Sequence, residues 1–183
     1  MQDTKKMNAG TVRIPMILVL LVMIVPLMTG CGLQKKVDGT VTIQTFVTNL
    51  FTDISESEYK EFKDAGDTGT DLLTDSSELP GWIETRFKEN MAEEGYEVFV
   101  ETAAYYIPVL SYENNKAMKL ENLEIKETEE DYDICGVLTV SDKDDASKSV
   151  EITLKGSAQV DEEGRISYIN IFNIDEAVSD ILQ

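Results

Sequence analysis

Tyr132-Asp-Ile-Cys-Gly-Val-Leu-Thr-Val140 and Val150-Glu-Ile-Thr-Leu-Lys-Gly-Ser-Ala-Gln-Val160 are the two stretches whose reading decides the fold. In the first, apolar or small residues fall on every second position: Tyr132, Ile134, Gly136, Leu138 and Val140. The second repeats the pattern with Val150, Ile152, Leu154, Gly156, Ala158 and Val160. A period of two is that of a strand with one face buried. Met118 to Lys126 reads as the strand before them, with an irregularity near Asn122. The turn Asp161-Glu-Glu-Gly164 leads into a last strand from Ile166 to Phe172. Short turns between successive strands make an antiparallel meander of about four strands. A sheet that is apolar on one face needs a cover there.

The N-terminal half supplies the cover. Ile43, Phe46, Val47, Leu50, Phe51 and Ile54 recur at i, i+3, i+4, i+7, i+8 and i+11, one stripe of an amphipathic helix. Asp38 or Thr40 is placed to cap its start. Ser55-x-x-Glu58 has the pattern of a capping box, opening a short second helix through Tyr59 and Phe62. Gly66 to Ser77 reads as a loop. Pro80, next but one to Trp82, opens a third helix with Ile83, Phe87 and Met91 on one face. Tyr96 to Ile107 carries two periods. Tyr96, Val98 and Val100 suggest a strand, whereas Tyr96, Phe99, Val100 and Ala103 suggest a helix. The helix is expected, ending before Pro108. Asp175 is placed to cap a final helix holding Ala177, Val178, Ile181 and Leu182. The fold class is therefore α+β, with N-terminal helices packed on a curved antiparallel sheet.

Ahead of the domain stands a segment with a different logic. Lys5, Lys6 and Arg13 precede an unbroken apolar run from Ile14 to Met28. The run is short of the roughly 20 residues a membrane-spanning helix needs. A basic start, a short apolar run and small residues behind it describe an export signal. Leu27-Met28-Thr29-Gly30-Cys31 follows directly, and it resembles the lipobox of bacterial lipoproteins. Met28 stands where Leu is commonest in that motif. The resemblance implies cleavage between Gly30 and Cys31 and attachment of diacylglycerol to the Cys31 thiol, with the palmitate-type chains such lipoproteins carry. The competing reading is an uncleaved signal anchor with Cys31 as an ordinary residue. On the lipoprotein reading, residues 1–30 are a cleaved leader, 31–39 a lipidated tether and 40–183 a single α+β domain. The location is the cell membrane, on its extracytoplasmic face.

Composition excludes several function classes. The chain of 183 residues contains no His, so neither a His-based triad nor a His-ligated zinc site is open to it. Two cysteines do not make a disulfide framework. Cys135, lying between apolar neighbours, reads as a small buried side chain. Loss of the leader removes Lys5, Lys6 and Arg13 but only Asp3 among acids, taking the net charge from −19 to −21. Such a surface repels nucleic acid, so no nucleic-acid partner is expected. The same sign argues against electrostatic docking on anionic lipid. The acidic runs Glu127 to Asp133, Asp142 to Asp145 and Asp64 to Asp71 read as solvated turns, and no metal or cofactor is expected. In an EF-hand loop starting at Asp142, Ser147 and Thr153 would occupy the positions that need Gly and Glu.

The order of elements also carries a family resemblance. Thr40-Val-Thr-Ile-Gln-Thr-Phe46, Glu151 to Val160 and Gly164-Arg-Ile-Ser-Tyr-Ile-Asn-Ile-Phe172 together resemble the nuclear transport factor 2-like (cystatin-like) cone fold. The likeness covers most of residues 38–174 and rests on pattern, not on a signature motif. It implies an apolar mouth between sheet and helices, for which Trp82, Phe87, Phe99, Tyr105, Tyr106 and Ile107 are the candidate lining. It also brings ketosteroid isomerase-like enzymes into view, which need a carboxylate base and a Tyr or protonated-acid donor. Tyr105, Tyr106, Tyr112, Tyr132 and Tyr168 are available, but none stands in a transferable motif, and no catalytic residue is assigned. The expected role is a non-catalytic interaction domain with a protein partner, in an envelope or conjugation assembly. A small-molecule binder is second and an isomerase-like enzyme third. Replacing Cys31 by Ala is expected to abolish palmitate labelling of the protein; labelling that survives the change would refute the lipidation.

Overall fold

The computed structural model describes residues 37–66 and 79–183. The leader, the lipobox residues Leu27, Met28, Thr29 and Gly30, Cys31, and nearly all of the 66–77 loop lie outside the described residues. Helix α1 spans Thr40–Leu50, α2 Glu56–Gly66, α3 Gly81–Phe87, α4 Glu93–Glu101 and α5 Ile107–Glu113. Single 3-10 turns, Lys88–Asn90 and Ala104–Tyr106, follow α3 and α4. Strands β1 Lys116–Glu127, β2 Tyr132–Asp142, β3 Ser149–Val160 and β4 Ile166–Ile171 come next, and α6, Ile174–Ile181, closes the chain. The sheet order is β1-β2-β3-β4, antiparallel throughout. The architecture is α+β, with the helices packed against the sheet.

The alternation in β2 and β3 is realised residue by residue. Tyr132, Ile134, Leu138 and Val140 are buried, as are Ile152, Leu154 and Ala158. Cys135 lies on the other parity and is exposed, not buried. Its apolar neighbours in sequence point to the opposite face, so proximity in the chain misleads where the period is two. In β1 the register slips between Glu121 and Glu124. Asn122 takes up the extra residue with a left-handed φ of 52°. That bulge moves the inward parity from Met118 and Leu120 to Leu123 and Ile125, and all four pack against the core. An unbulged strand would turn Leu123 and Ile125 outward. In the β3–β4 turn, Gly164 has a φ of 80°, and its amide donates to the Asp161 carbonyl.

The helices bury their stripes against this face. Ile43, Phe46, Val47 and Leu50 of α1 are buried. The helix stops at Leu50, so Phe51 and Ile54 are buried from the connecting segment instead. Gly39 is the cap, and neither candidate side chain takes that place, although Asp38 accepts the Thr40 amide at 2.9 Å. The Gly39 amide donates to the Tyr132 hydroxyl at 3.1 Å, fastening the start of α1 to β2. Phe46, Phe87 and Phe99 meet with ring centroids 4.8–5.3 Å apart, joining α1, α3 and α4. The expected helix over Tyr96–Ile107 is two elements. α4 ends at Glu101, Ala103 turns left-handed at φ 53°, and Pro108 sits in the first turn of α5 instead of terminating a helix. Proline lacks an amide proton that a first turn does not use. The last helix is capped by Asn173, not by Asp175, which lies in its first turn. Asn173 also donates to the Thr153 carbonyl and accepts the Lys155 amide, tying α6 to β3.

The capping box forms as its spacing requires. The Ser55 amide donates to Glu58 Oε2 at 2.8 Å, and the Glu58 amide to Ser55 Oγ at 3.3 Å. Arg86 reaches the other Glu58 oxygen at 2.7 Å and lies over the Trp82 ring. Partial burial pushes the Glu58 carboxyl up, but the Ser55 amide and hydroxyl and then Arg86 outweigh it, leaving the group below its ordinary value of 4.5. A depressed carboxyl stabilises the fold above its unfolded pKa, and the contribution is lost as pH falls through the folded value. At pH 7, Glu58→Gln is expected to cost about 1 kcal/mol, less than the roughly 1.5–3 kcal/mol of a buried charged hydrogen bond because the pair is partly exposed. Thermal melts should show the gap between the two proteins closing as pH drops below 4.5.

Candidate functional site

A recess of about 410 Å³ opens where α4, α5 and α6 converge on β4. Phe46 and Leu50 of α1 contribute to its apolar lining. Gly95, Val98, Phe99 and Thr102 approach from α4 and its end, Tyr106, Ile107 and Leu110 from α5 and the turn before it, and Ile174, Asp175 and Val178 from α6. All of Ser167–Ile171 borders it. The left-handed Ala103 breaks the α4–α5 path into a corner, and the corner leaves the space. Gly95 lets α4 come close to the strand. A Cβ there would lie 2.7 Å from the Ile166 carbonyl oxygen and 3.0 Å from that of Ser167.

Of the six residues expected at the mouth, Phe99, Tyr106 and Ile107 line this recess. Trp82, Phe87 and Tyr105 do not, and are packed in the interior. Trp82 gives its indole N–H to the Glu58 carbonyl at 3.1 Å, on the α2 side. The sequence reading passed over the β4 and α6 contributions. Ile169, Ile174 and Val178 are half-buried: they pack against the core and also border the recess. The unequal alternation of β4 is the one sequence signal of it.

The electrostatics of the lining are one-sided. Asp175 is exposed at the rim, and neither Lys nor Arg is among the lining residues. The Tyr106 hydroxyl donates to Glu113 at 2.9 Å, and Tyr59 donates to the other oxygen of that carboxylate at 3.1 Å. Burial, then the Glu113 carboxylate, pushes Tyr106 up to about 12, so at neutral pH it is a phenol engaged away from the recess. Tyr168 borders the recess and is half-exposed. Of the acidic runs, those at Glu127 to Asp133 and Asp142 to Asp145 form turns: Thr128 donates to Asp131 Oδ1 at 2.6 Å between β1 and β2, and Asp145 accepts the Ser147 hydroxyl after β2; most of Asp64 to Asp71 lies outside the described residues. Among the described residues no group of three or more His, Cys, Asp or Glu side chains converges as metal ligands. No helix among them is long and apolar enough to cross a membrane. Comparison with family models, with curated proteins and with solved structures finds no match to this chain.

Tyr96 packs behind the recess, 6.4 Å from the Phe99 ring. Its hydroxyl is buried with no hydrogen-bond partner among the described residues. Burial first, and then Glu84 and Tyr105, pushes its pKa up to about 12. A buried hydroxyl without a partner carries a desolvation cost that the ring alone does not. Tyr96→Phe is therefore expected to raise stability by about 1 kcal/mol. A lower melting temperature for the variant would show that the hydroxyl has a partner after all.

Proposed function

We propose that this chain is a lipoprotein held at the extracytoplasmic face of the cell membrane by lipid on Cys31, and that its α+β domain is a non-catalytic interaction module. The setting we propose is an envelope or conjugation assembly, and the kinship is with the nuclear transport factor 2-like domains that the order of elements resembles. The observation that supports an interaction role is the recess: apolar, of binding-site size, and opening along the last strand of the sheet. Around it the domain is strongly acidic, in keeping with the net charge of −19 for the whole chain. Recognition sites are commonly apolar hollows with a few placed polar groups.

A second reading is favoured by the volume alone. About 410 Å³ falls in the range of roughly 300–1,000 Å³ that small-molecule pockets occupy. In that case the lipoprotein would carry a small apolar ligand.

One experiment separates the two. A photo-crosslinking amino acid replaces Val98 at the rim in the full chain, with the same substitution at Thr139 on the outer face of β2 as control. Irradiation of intact membranes is expected to give a discrete protein adduct from the Val98 position and none from Thr139. Equal adducts from both positions, or none from either, would remove the interaction reading. A small-mass adduct confined to Val98 would replace it with the carrier reading.

A further inference from the structure

The recess runs along the edge of a strand, not over one face of the sheet. Tyr168 and Asn170 pair with Gln159 and Ser157, while Ile169 and Ile171 pair with Ala158 and Gly156. Residues of both parities border the recess. A hollow over one face would touch only one parity. The direction of the backbone groups follows from the ladder. The Phe172 amide donates to the Lys155 carbonyl at 2.8 Å. Hydrogen-bonded and non-hydrogen-bonded pairs alternate in an antiparallel sheet. Counting back from Phe172, Asn170 and Tyr168 bond to β3, and Ile169 turns both its N–H and its C=O away from β3 toward the free edge. Among the described residues β4 is the last strand of the sheet. Among the described residues its free side is met by backbone at its start, by a parallel bridge between Met91 and Ile166, by the Ala92 amide on the Ile166 carbonyl, and by the close approach of α4 at Gly95 to Ile166 and Ser167.

An unpaired edge beside an apolar hollow has the two parts of strand-addition recognition: main-chain hydrogen bonds for affinity and a side-chain pocket for specificity. The charges around the mouth choose the partner. Glu94 and Glu101 stand at i−4 and i+3 from the rim residue Val98 and are exposed, and Asp175 is exposed across the mouth on α6. We propose that the β4 edge takes an extended peptide as a fifth strand, with one apolar side chain seated in the recess and Lys or Arg on either side of it. This rests on the interaction reading and names its partner's chemistry. The Ile169 amide and carbonyl would make the central pair of hydrogen bonds, and the three acids would face the flanking cations.

The test uses the full chain in lipid nanodiscs and a synthetic library of acetylated, amidated heptapeptides. Lys stands at both ends, and the central position is randomised among Val, Ile, Leu, Met and Phe. The expected result is saturable binding with slowed amide exchange over residues 166–172. The E94K/E101K double variant, altered only at exposed positions, should weaken binding by roughly tenfold or more, as loss of charge complementarity does. N-methylation of alternate peptide amides, which removes strand pairing but keeps charge and side chains, should abolish it. Equal binding by the N-methylated library, or by one with Glu in place of Lys, would overturn the proposal while leaving an interaction role intact. No binding by the heptapeptides, with decanol alone slowing exchange around the recess, would overturn the proposal and the interaction reading together in favour of a small-molecule carrier.

Discussion

Tyr132, Ile134, Leu138 and Val140 on β2, with Ile152, Leu154 and Ala158 on β3, form an apolar face in the middle of a four-stranded sheet. Leaving that face in water would forfeit roughly 25 cal/mol for each Å² of it. The helices are arranged around that demand. α1 lays Ile43, Phe46, Val47 and Leu50 toward the core, and Phe46 meets Phe87 and Phe99, so three helices share one aromatic junction. Edge-to-face rings at such distances add to area burial and fix relative angles. The outer β1 strand joins the same face only because the Asn122 bulge keeps Leu123 and Ile125 inside.

Polar groups decide where each covering element begins. Gly39 on the Tyr132 hydroxyl sets the start of α1, and Asn173 on Thr153 and Lys155 sets the start of α6. Glu58 closes the α2 cap and holds Arg86 at once, so α2 and α3 are linked through one carboxylate. These contacts are few and directional, whereas the apolar contacts are many and tolerant. The first kind chooses the arrangement and the second supplies most of the driving force.

The recess is the consequence of a corner. Ala103, in a left-handed conformation unfavourable to a residue with a Cβ, breaks the path between α4 and α5. Gly95 draws α4 onto the first residues of β4, and among the described residues no further strand pairs with it beyond β3. An edge strand left open is a hazard that natural sheets usually blunt with charge or cover. Here the neighbouring acids Glu94, Glu101 and Asp175 supply charge of one sign. Charge of one sign along an edge discourages pairing with another acidic copy.

Much of the fold was legible in the sequence, because period and capping are local properties. The two-residue alternation from Tyr132 and from Val150 gave the meander, the stripe from Ile43 gave α1, and Ser55 with Glu58 gave the start of α2. Even the bulge near Asn122 left a trace. Where two periods overlapped, from Tyr96 to Ile107, the chain did not declare its corner, since the conformation of Ala103 is set by what α4 and α5 pack against. The exposed face of Cys135 was contained in the alternation but masked by its apolar neighbours. The mouth residues divided for a related reason. Trp82, Phe87 and Tyr105 have the same chemistry as Phe99, Tyr106 and Ile107, and only their places in space separate core from wall. The sequence by itself determined which residues seek burial and with what period. Tertiary structure alone decided that β4 ends the sheet beside a hollow, because an edge and a cavity are relations between elements distant in the chain.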